Sequence, residues 1–178
     1  PPSLQISSDN KTVDRAADAD RADHAVGVEK DPVGILIRKG HTALAAGSRQ
    51  AALACFREAE TLQPKNRQIP ISAAVAALRH DQPDLAIELL RPASQRFSDS
   101  VQVHRILGVA HYRVGDYHSS QVALQQALSL DKSSALSYFL MGCTLARLGH
   151  VESAQAHLRQ ARTIDPRYSV RRCMGTLP

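Results

Sequence analysis

Small and apolar residues recur along most of the chain at a constant interval of 34 residues. Five such sets keep the same register, which is a strong signal of an internal repeat. The five sets are Gly40, Ala74, Gly108 and Gly142; Gly47, Asp81, Gly115 and Gly149; Ala52, Ala86, Ser120 and Ala154; Phe56, Leu90, Leu124 and Leu158; and Ala59, Ala93, Ala127 and Ala161. The pattern predicts four repeats, each a pair of helices that buries its apolar faces against its neighbours.

The residue types in these sets suit two closely packed helices. Counted in units of 34 residues that begin at residue 33, a small residue at the eighth and twentieth positions lets the two helix backbones approach. Glycine at the fifteenth position ends the first helix in a left-handed conformation. With these positions, the chain resembles the tetratricopeptide repeat family, most clearly at Leu107-Gly108 and Gly115-Asp116-Tyr117. The resemblance implies an all-α protein, a right-handed solenoid of stacked antiparallel helix pairs. Its units are residues 33–66, 67–100, 101–134 and 135–168, with first helices near 34–46, 68–80, 102–114 and 136–148.

The second unit departs from the pattern at three positions. Pro70 falls in the first turn of its first helix, where proline is tolerated. Pro92 falls inside its second helix, and because proline lacks the N–H group that a helix needs, we expect a kink or an end after about Arg91. Asp81 stands where the other units have glycine, so we expect a local bend in that turn.

Two short segments flank the predicted repeat domain. Residues 1–32 form an acidic, low-complexity arm with seven acidic and four basic residues, although the whole chain carries a net charge of +5. We expect at most one weak helix in this arm, near residues 13–25. Residues 169–178 form a short basic tail, too short for the helix that usually caps such arrays. The chain does not begin with methionine, and we expect it to be a fragment or a processed product.

In the tetratricopeptide family, the first helices line a concave face through the second, fifth, ninth, twelfth and thirteenth positions of each unit. Here arginine recurs at the thirteenth position of three successive units, and stacking would place these residues in a row about 10 Å apart. Carried onto this sequence, the resemblance assigns partner binding to Arg79, Arg105, Arg113 and Arg147, and to an apolar floor of Ile71, Val75, Val109, Tyr112 and Phe139. A row of arginines beside an apolar floor suits a segment that alternates acidic and apolar residues.

The expected function is therefore a non-enzymatic scaffold that binds a segment of another protein in its concave groove. Several alternatives stay open. The recurring arginines could be solvated helix ends that support the last carbonyls of their own helices. The acidic arm could dock on the arginine row, in this molecule or in a neighbour. The chain could also be a structural subunit locked into a larger complex through its arm and its uncapped end.

Binding of RNA or another nucleic acid is the remaining alternative, since the repeat region is basic. We disfavour it because only Tyr112 and Phe139 offer stacking surfaces in the groove. His104, His111 and His118 are spaced by seven residues, which is roughly 10 Å along a helix and too far for two ligands of one zinc ion. We expect His104 and His111 to be semi-buried packing residues. The sequence contains no motif for catalysis, so we expect no enzymatic activity, no cofactor and no metal.

The cysteines bear on the compartment. Cys55, Cys143 and Cys173 are odd in number and too far apart for a metal site, and we interpret all three as reduced thiols. Reduced thiols favour the cytoplasm, with the periplasm after removal of a signal peptide as the alternative. No apolar run approaches the roughly 18 residues that a membrane-spanning helix needs.

Overall fold

A computed structural model describes residues 31–168 of the chain. Within this range the chain forms eight α-helices and no strand. In chain order the helices are α1 Pro32–Ala45, α2 Arg49–Leu62, α3 Gln68–Arg79, α4 Pro83–Arg96, α5 Val101–Arg113, α6 Tyr117–Leu130, α7 Ala135–Arg147 and α8 Val151–Ile164. The basic tail and the acidic arm up to residue 30, with the helix expected near 13–25, lie outside the described residues.

Consecutive helices pack in pairs, and the pairs stack in chain order. α1 packs on α2, α3 on α4, α5 on α6 and α7 on α8, and each pair contacts the next one along the chain. The predicted all-α solenoid of stacked helix pairs is therefore confirmed, and each first helix begins and ends within two residues of its predicted bounds. The unit boundaries themselves stay a prediction.

The turn inside each pair uses a left-handed residue at the predicted place. Gly47, Gly115 and Gly149 have φ values of 75°, 82° and 82°. Asp81, the residue at the same place in the second unit, has φ 54°, so the turn keeps its backbone conformation although a side chain is present. Aspartate tolerates this conformation better than most residues, but at a cost that glycine does not pay.

Pro92 does not end the second helix of its unit. α4 continues through this residue to Arg96, so of the two expected outcomes the end after Arg91 does not occur, and the kink stays a prediction. Leu90 and Ala93, on either side of the proline, are both 0% exposed. Their burial between neighbouring helices holds the backbone helical despite the missing hydrogen bond. Pro92 itself is exposed, so its ring displaces no side chain of the core.

Most of the core is apolar, with one buried hydroxyl pair between the third and fourth units. Ser120 stands where the other units have alanine, and its Oγ donates to the carbonyl oxygen of Gly108 at 2.8 Å. The same atom lies 3.1 Å from Oγ1 of Thr144, which donates to the carbonyl oxygen of Leu140 at 2.9 Å. Both side chains are 0% exposed, and both are satisfied. Each hydroxyl has a single proton, so the two hydroxyls hydrogen-bond to each other only when one of them donates to the other instead of to its carbonyl; in every such arrangement both hydroxyls keep a partner.

Candidate partner-binding groove

The first helices of the four units form the inner side of the array. Along the whole array, each of these helices contacts the next one: α1 contacts α3, α3 contacts α5, and α5 contacts α7. Among the described second helices, a contact of similar extent joins only α2 and α4. Because the first helices lie closer together than the second ones, the array curves toward them. We call the surface of α1, α3, α5 and α7 the inner wall.

Charge is divided sharply between the two sets of helices. The four helices of the inner wall contain six basic residues and no acidic residue. The basic residues of the inner wall are Arg38, Lys39, Arg79, Arg105, Arg113 and Arg147. The four second helices contain six basic and five acidic residues, and are nearly neutral. Within the helices, every acidic side chain therefore belongs to the outer set.

Several outer charges already neutralise one another. Glu88 on α4 accepts hydrogen bonds from Arg49 at 3.1 Å and from Arg57 at 2.8 Å, both on α2. Glu60 on α2 pairs in turn with Arg96 on α4. These pairs are partly exposed and contribute little to stability. They nevertheless leave the outer surface of the first two units with compensated charge, in contrast to the inner wall.

The recurring arginines have different surroundings. Arg79 is exposed at the end of α3. The guanidinium of Arg113 donates to the carbonyl oxygen of Leu78, at the end of the first helix of the preceding unit. This contact departs from the alternative in which each arginine supports its own helix. Arg113 therefore stabilises the end of α3 while part of its side chain stays exposed.

Arg147 lies against an aromatic side chain of the preceding unit. Its Nε donates to the hydroxyl of Tyr117 at 3.0 Å, and its guanidinium carbon lies 5.2 Å from the centre of that ring. The same ring meets Tyr112 edge-on, with the ring centres 5.4 Å apart. This cluster joins the third and fourth units beside the groove and fixes Arg147 in one orientation.

Arg105 lies on α5 and is partly exposed. It is close enough to Asp131 to help lower the pKa of that carboxyl group, although hydrogen bonds from Ser133 are the larger cause. Unlike Arg113 and Arg147, Arg79 and Arg105 have no described contact with a neighbouring unit. Changing their charge therefore leaves the packing between units unaffected. They are the better positions for testing the groove.

The predicted apolar floor divides into a buried and an accessible part. Ile71 is only 3% exposed and belongs to the core, so it supports the floor from beneath. Val75 and Val109 are partly exposed. Tyr112 and Phe139 are also partly exposed and pack with Cys143 and Leu158 at the end of the groove formed by the fourth unit. The accessible strip therefore runs along α3, α5 and α7.

His104 and His111 are packing residues, as expected from the sequence. His104 is 8% exposed, and its Nε2 lies 3.0 Å from the carbonyl oxygen of Ser98. His111 is partly buried, and its Nδ1 lies 3.2 Å from Oδ2 of Asp116, a contact that becomes an ion pair only when the ring is protonated. Burial lowers the pKa of His111, and Asp116 only partly offsets this. Among the described residues, no group of histidine, cysteine and acidic side chains could hold a metal ion.

One expectation about the cysteines is wrong. Cys143, 8% exposed beside Phe139, is disulfide-bonded, whereas Cys55 is a free thiol. Reduced thiols therefore no longer favour the cytoplasm, because disulfides persist mainly in oxidising compartments. A separate observation is that no described helix is long and apolar enough to cross a membrane.

Sequence reasoning missed two features of this groove. It gave no role to Tyr117, which holds Arg147, or to Tyr168, whose ring lies 5.3 Å from that of Phe139. It also missed the absence of acidic residues from the inner wall. That signal was present in the sequence, and counting charges separately for the first and second predicted helices would have found it.

Comparison with known proteins agrees with the fold. Comparison with curated protein sequences gives no match. A crystal structure of MamA protein is 21% identical, with a TM-score of 0.64 over 76% of this chain and 74% of that chain. MamA from Desulfovibrio magneticus RS-1 is also 21% identical, with a TM-score of 0.62 over 78% of each chain. The Thermus thermophilus protein TTC0263, described as a thermophilic TPR protein, is 21% identical, with a TM-score of 0.57 over 75% of each chain.

These likenesses show the fold alone, and the sequence match to the family is independent of them. One family model described as tetratricopeptide repeat matches residues 37–91 and 71–135, and a second with the same description matches residues 135–168. Together the matches span far more than half of the chain, which therefore belongs to the tetratricopeptide repeat family.

Proposed function

We propose that this protein is a non-enzymatic scaffold that binds an acidic and apolar segment of another protein along its inner wall. The observation that carries the proposal is the charge division: six basic and no acidic residues on the first helices, against six and five on the second. Long-range attraction of this kind steers an acidic partner to one face. The accessible strip of Val75, Val109, Tyr112 and Phe139 supplies apolar contact on the same face.

The spacing of the arginines indicates what the segment looks like. Stacked helices would place the backbones of Arg79, Arg113 and Arg147 roughly 10 Å apart, the usual distance between packed helices. An extended chain advances about 3.3–3.6 Å per residue, so three residues cover one unit. The best match is an extended segment with an acidic residue at every third position and apolar residues between them. Roughly six or seven residues would span from Arg79 to Arg147.

A protein segment fits the groove better than a nucleic acid does. Both aromatic residues of the floor already pack edge-on or tilted against other rings, Tyr112 on Tyr117 and Phe139 on Tyr168. Sequence-independent binding of single strands relies on open aromatic faces for stacking, which these contacts reduce. The apolar strip is also of little use for phosphates. Nucleic acid therefore remains an outcome of the test rather than a second proposal.

Fluorescence anisotropy with a defined probe tests the proposal. The probe is a fluorescein-labelled nonapeptide with aspartate at every third position and leucine and isoleucine between. We expect binding to the full chain, and roughly a tenfold or greater weakening of the Kd for Arg79→Glu/Arg105→Glu, because two charge-assisted contacts become repulsive. The matched control is Arg159→Glu/Arg162→Glu on the exposed outer face of α8, which changes the net charge equally.

The two variants separate the alternatives. Equal weakening by both would show that net charge matters and the groove does not, and this would overturn the proposal. Recovery of nuclease-sensitive material in a pull-down from lysate, with no peptide binding, would favour nucleic acid. If removal of residues 1–30 strengthens peptide binding, the acidic arm competes for the inner wall. A chain that assembles through its end and ignores the peptide would be a structural subunit.

The cytoplasmic location remains a prediction. Its main support was the reading of all three cysteines as reduced thiols, and Cys143 is disulfide-bonded. The periplasmic alternative agrees better with a disulfide at that position. Separating the compartments of the native cell and probing each with an antibody would decide between them.

A further inference from the structure

Among the helices that the structure describes, α6 is the one without a lysine, arginine, aspartate or glutamate. The other second helices carry four, four and three such residues, and each first helix carries one or two basic residues. The exposed side chains of α6 recur at helical spacing and share one face. We call this face the α6 crest, and it consists of His118, Val122, Gln125, Gln126, Ser129 and Leu130.

The other units show which crest residues are unusual. Arginine stands at the twenty-fifth position of the first, second and fourth units, as Arg57, Arg91 and Arg159, and all three are exposed. The third unit has Gln125 at this position. Three residues earlier, Val122 is 64% exposed, more than any other large apolar side chain of the described residues. Loss of charge beside an exposed apolar side chain is typical of the centre of a protein interface.

The α6 crest stands between two crevices. Neither α4 nor α8 packs on α6 as extensively as α2 packs on α4, which leaves room on both sides of α6. Val122 and Leu107 line the crevice towards α4, which has a volume of about 420 Å³. Gln125 lines the crevice towards α8, also of about 420 Å³, above Met141 and Leu145. A crest between two grooves is a shape on which a second helix can pack, with its ridges in the grooves.

We propose that two copies of this chain associate through their α6 crests, around a two-fold axis that passes near Val122 and Gln125. A two-fold axis brings each residue at its centre against its own copy. Valine packs on valine, and the glutamine amide both donates and accepts hydrogen bonds, so it can pair with a second amide. Arginine would repel its own copy, which accounts for the glutamine in this unit alone.

The charge of the molecule favours a second copy as the occupant of the crest. The chain has a net charge of +5, so two copies repel each other at long range. Their approach is opposed least at a face that adds no charge of its own. Because α6 belongs to the outer set of helices, the contact leaves the inner wall of both copies open and does not depend on what that wall binds.

The size of the α6 crest sets the expected strength of the contact. A helix of 14 residues is about 21 Å long, so the interface falls among the small ones that bury less than about 1,200 Å² in total. We therefore expect a reversible dimer with a dissociation constant in the micromolar range.

Analytical ultracentrifugation of the full chain over a concentration series tests the contact. Val122→Glu and Val122→Lys should each weaken the dimer by about tenfold or more, because like charges meet at the axis. An equimolar mixture of these two variants should associate again, because opposite charges then meet. Leu62→Glu on α2 is the matched control, since Leu62 is 51% exposed, and it should dimerise like the native chain.

Each part of this experiment can contradict the proposal. A native chain that stays monomeric at every concentration would overturn it, as would dimers that a non-reducing gel shows to be only covalent. Association that survives both Val122 variants would place the contact elsewhere. A mixture that fails to associate would exclude the two-fold arrangement, and equal weakening by Leu62→Glu would exclude a specific role for α6.

Gln125→Arg gives an independent test, because it restores the residue that the other units carry at an exposed position. It should weaken the dimer by about tenfold while the circular dichroism spectrum stays that of the native chain. Gln160→Arg on α8 adds the same charge at an exposed position outside the α6 crest, and it should leave the dimer unchanged. Equal weakening by both variants would show an effect of net charge alone and would overturn the proposal.

Discussion

Replacement of Gly142 by alanine tests the close approach of α7 and α8. A Cβ atom at this position would lie 2.6 Å from Cγ of Leu158, 2.8 Å from its Cδ2 and 3.1 Å from the carbonyl oxygen of Ala154. Leu158 is 1% exposed and has little room to change rotamer. The third contact is with backbone, so it can be relieved only if the two helices separate.

Two opposing effects determine the size of the change. Adding a methyl group to a packed core costs about 1–3 kcal/mol, and alanine is better than glycine in a helix interior by about 1 kcal/mol. Because the 3.1 Å contact with the backbone of Ala154 puts the packing cost in the upper part of its range, about 2–3 kcal/mol, we expect Gly142→Ala to lower the free energy of unfolding by about 1–2 kcal/mol. Gly108→Ala should cost less, because the nearest backbone atom there, the carbonyl oxygen of Ser120, is 3.4 Å away. Ala74, buried at the same place in the second unit, shows that the fold accepts alanine where the helices are spaced for it.

Urea unfolding of the full chain, followed by circular dichroism, measures both variants. The shared gain in helix propensity cancels between them, so their difference isolates the packing term. The reasoning is refuted if Gly142→Ala is as stable as the native chain, or if Gly108→Ala is the more damaging substitution.

Three further predictions concern stability. Asp81→Gly should raise the free energy of unfolding by about 0.5 kcal/mol by relieving a left-handed aspartate, and Asp81→Val should lower it; thermal unfolding distinguishes the two. Ser120→Ala and Thr144→Val should each lower the free energy of unfolding by about 1 kcal/mol, and the double variant should lower it by less than the sum of the two. A double-mutant cycle measured by urea unfolding checks this, and simple addition of the two costs would contradict it. Asp116→Ala should cost about 1 kcal/mol at neutral pH by removing the cap of α6. Hydrogen bonds from Ser119 lower the pKa of Asp116, so its contribution to the free energy of unfolding is complete above about pH 4 and is lost as the pH falls through the folded pKa. If the difference in stability between the native chain and Asp116→Ala stays unchanged in acid, this reasoning is refuted.

Much of the fold could be predicted from the sequence because the repeat constrains it at several places at once. Five sets of residues in one register specified the helix pairs and their turns. Asp81 keeps the left-handed φ of the glycines at the same place, and the N–H of Gln82 donates to the carbonyl oxygen of Ala77 as the corresponding residues do in the other turns, while the expected local bend stays a prediction. At Pro92, local propensity favoured an end to the helix, and the burial of Leu90 and Ala93 outweighed it.

The groove could be predicted less fully. Position in the repeat gave the helices that carry its residues, but it could not give the direction of long side chains. Arg113 and Arg147 bond to the preceding unit through contacts that depend on Leu78 and Tyr117, more than one helix away in the chain. The burial of Ile71 depends on how closely adjacent units stack, which a single-unit pattern does not contain.

The arginine row and the acid-free inner wall therefore differ in what they say about function. Arg113 and Arg147 recur at one repeat position and also join adjacent units, so packing alone is a sufficient reason for their recurrence. Packing does not explain why acidic residues are missing from all four first helices, because the second helices of the same units carry five of them, some paired across the outer surface. Solubility would be served equally well by acidic residues on either side. A binding face that must attract an acidic segment and repel a basic one does account for this difference. The distribution of charge is therefore a better reason than the arginine row to look for the partner on the inner wall.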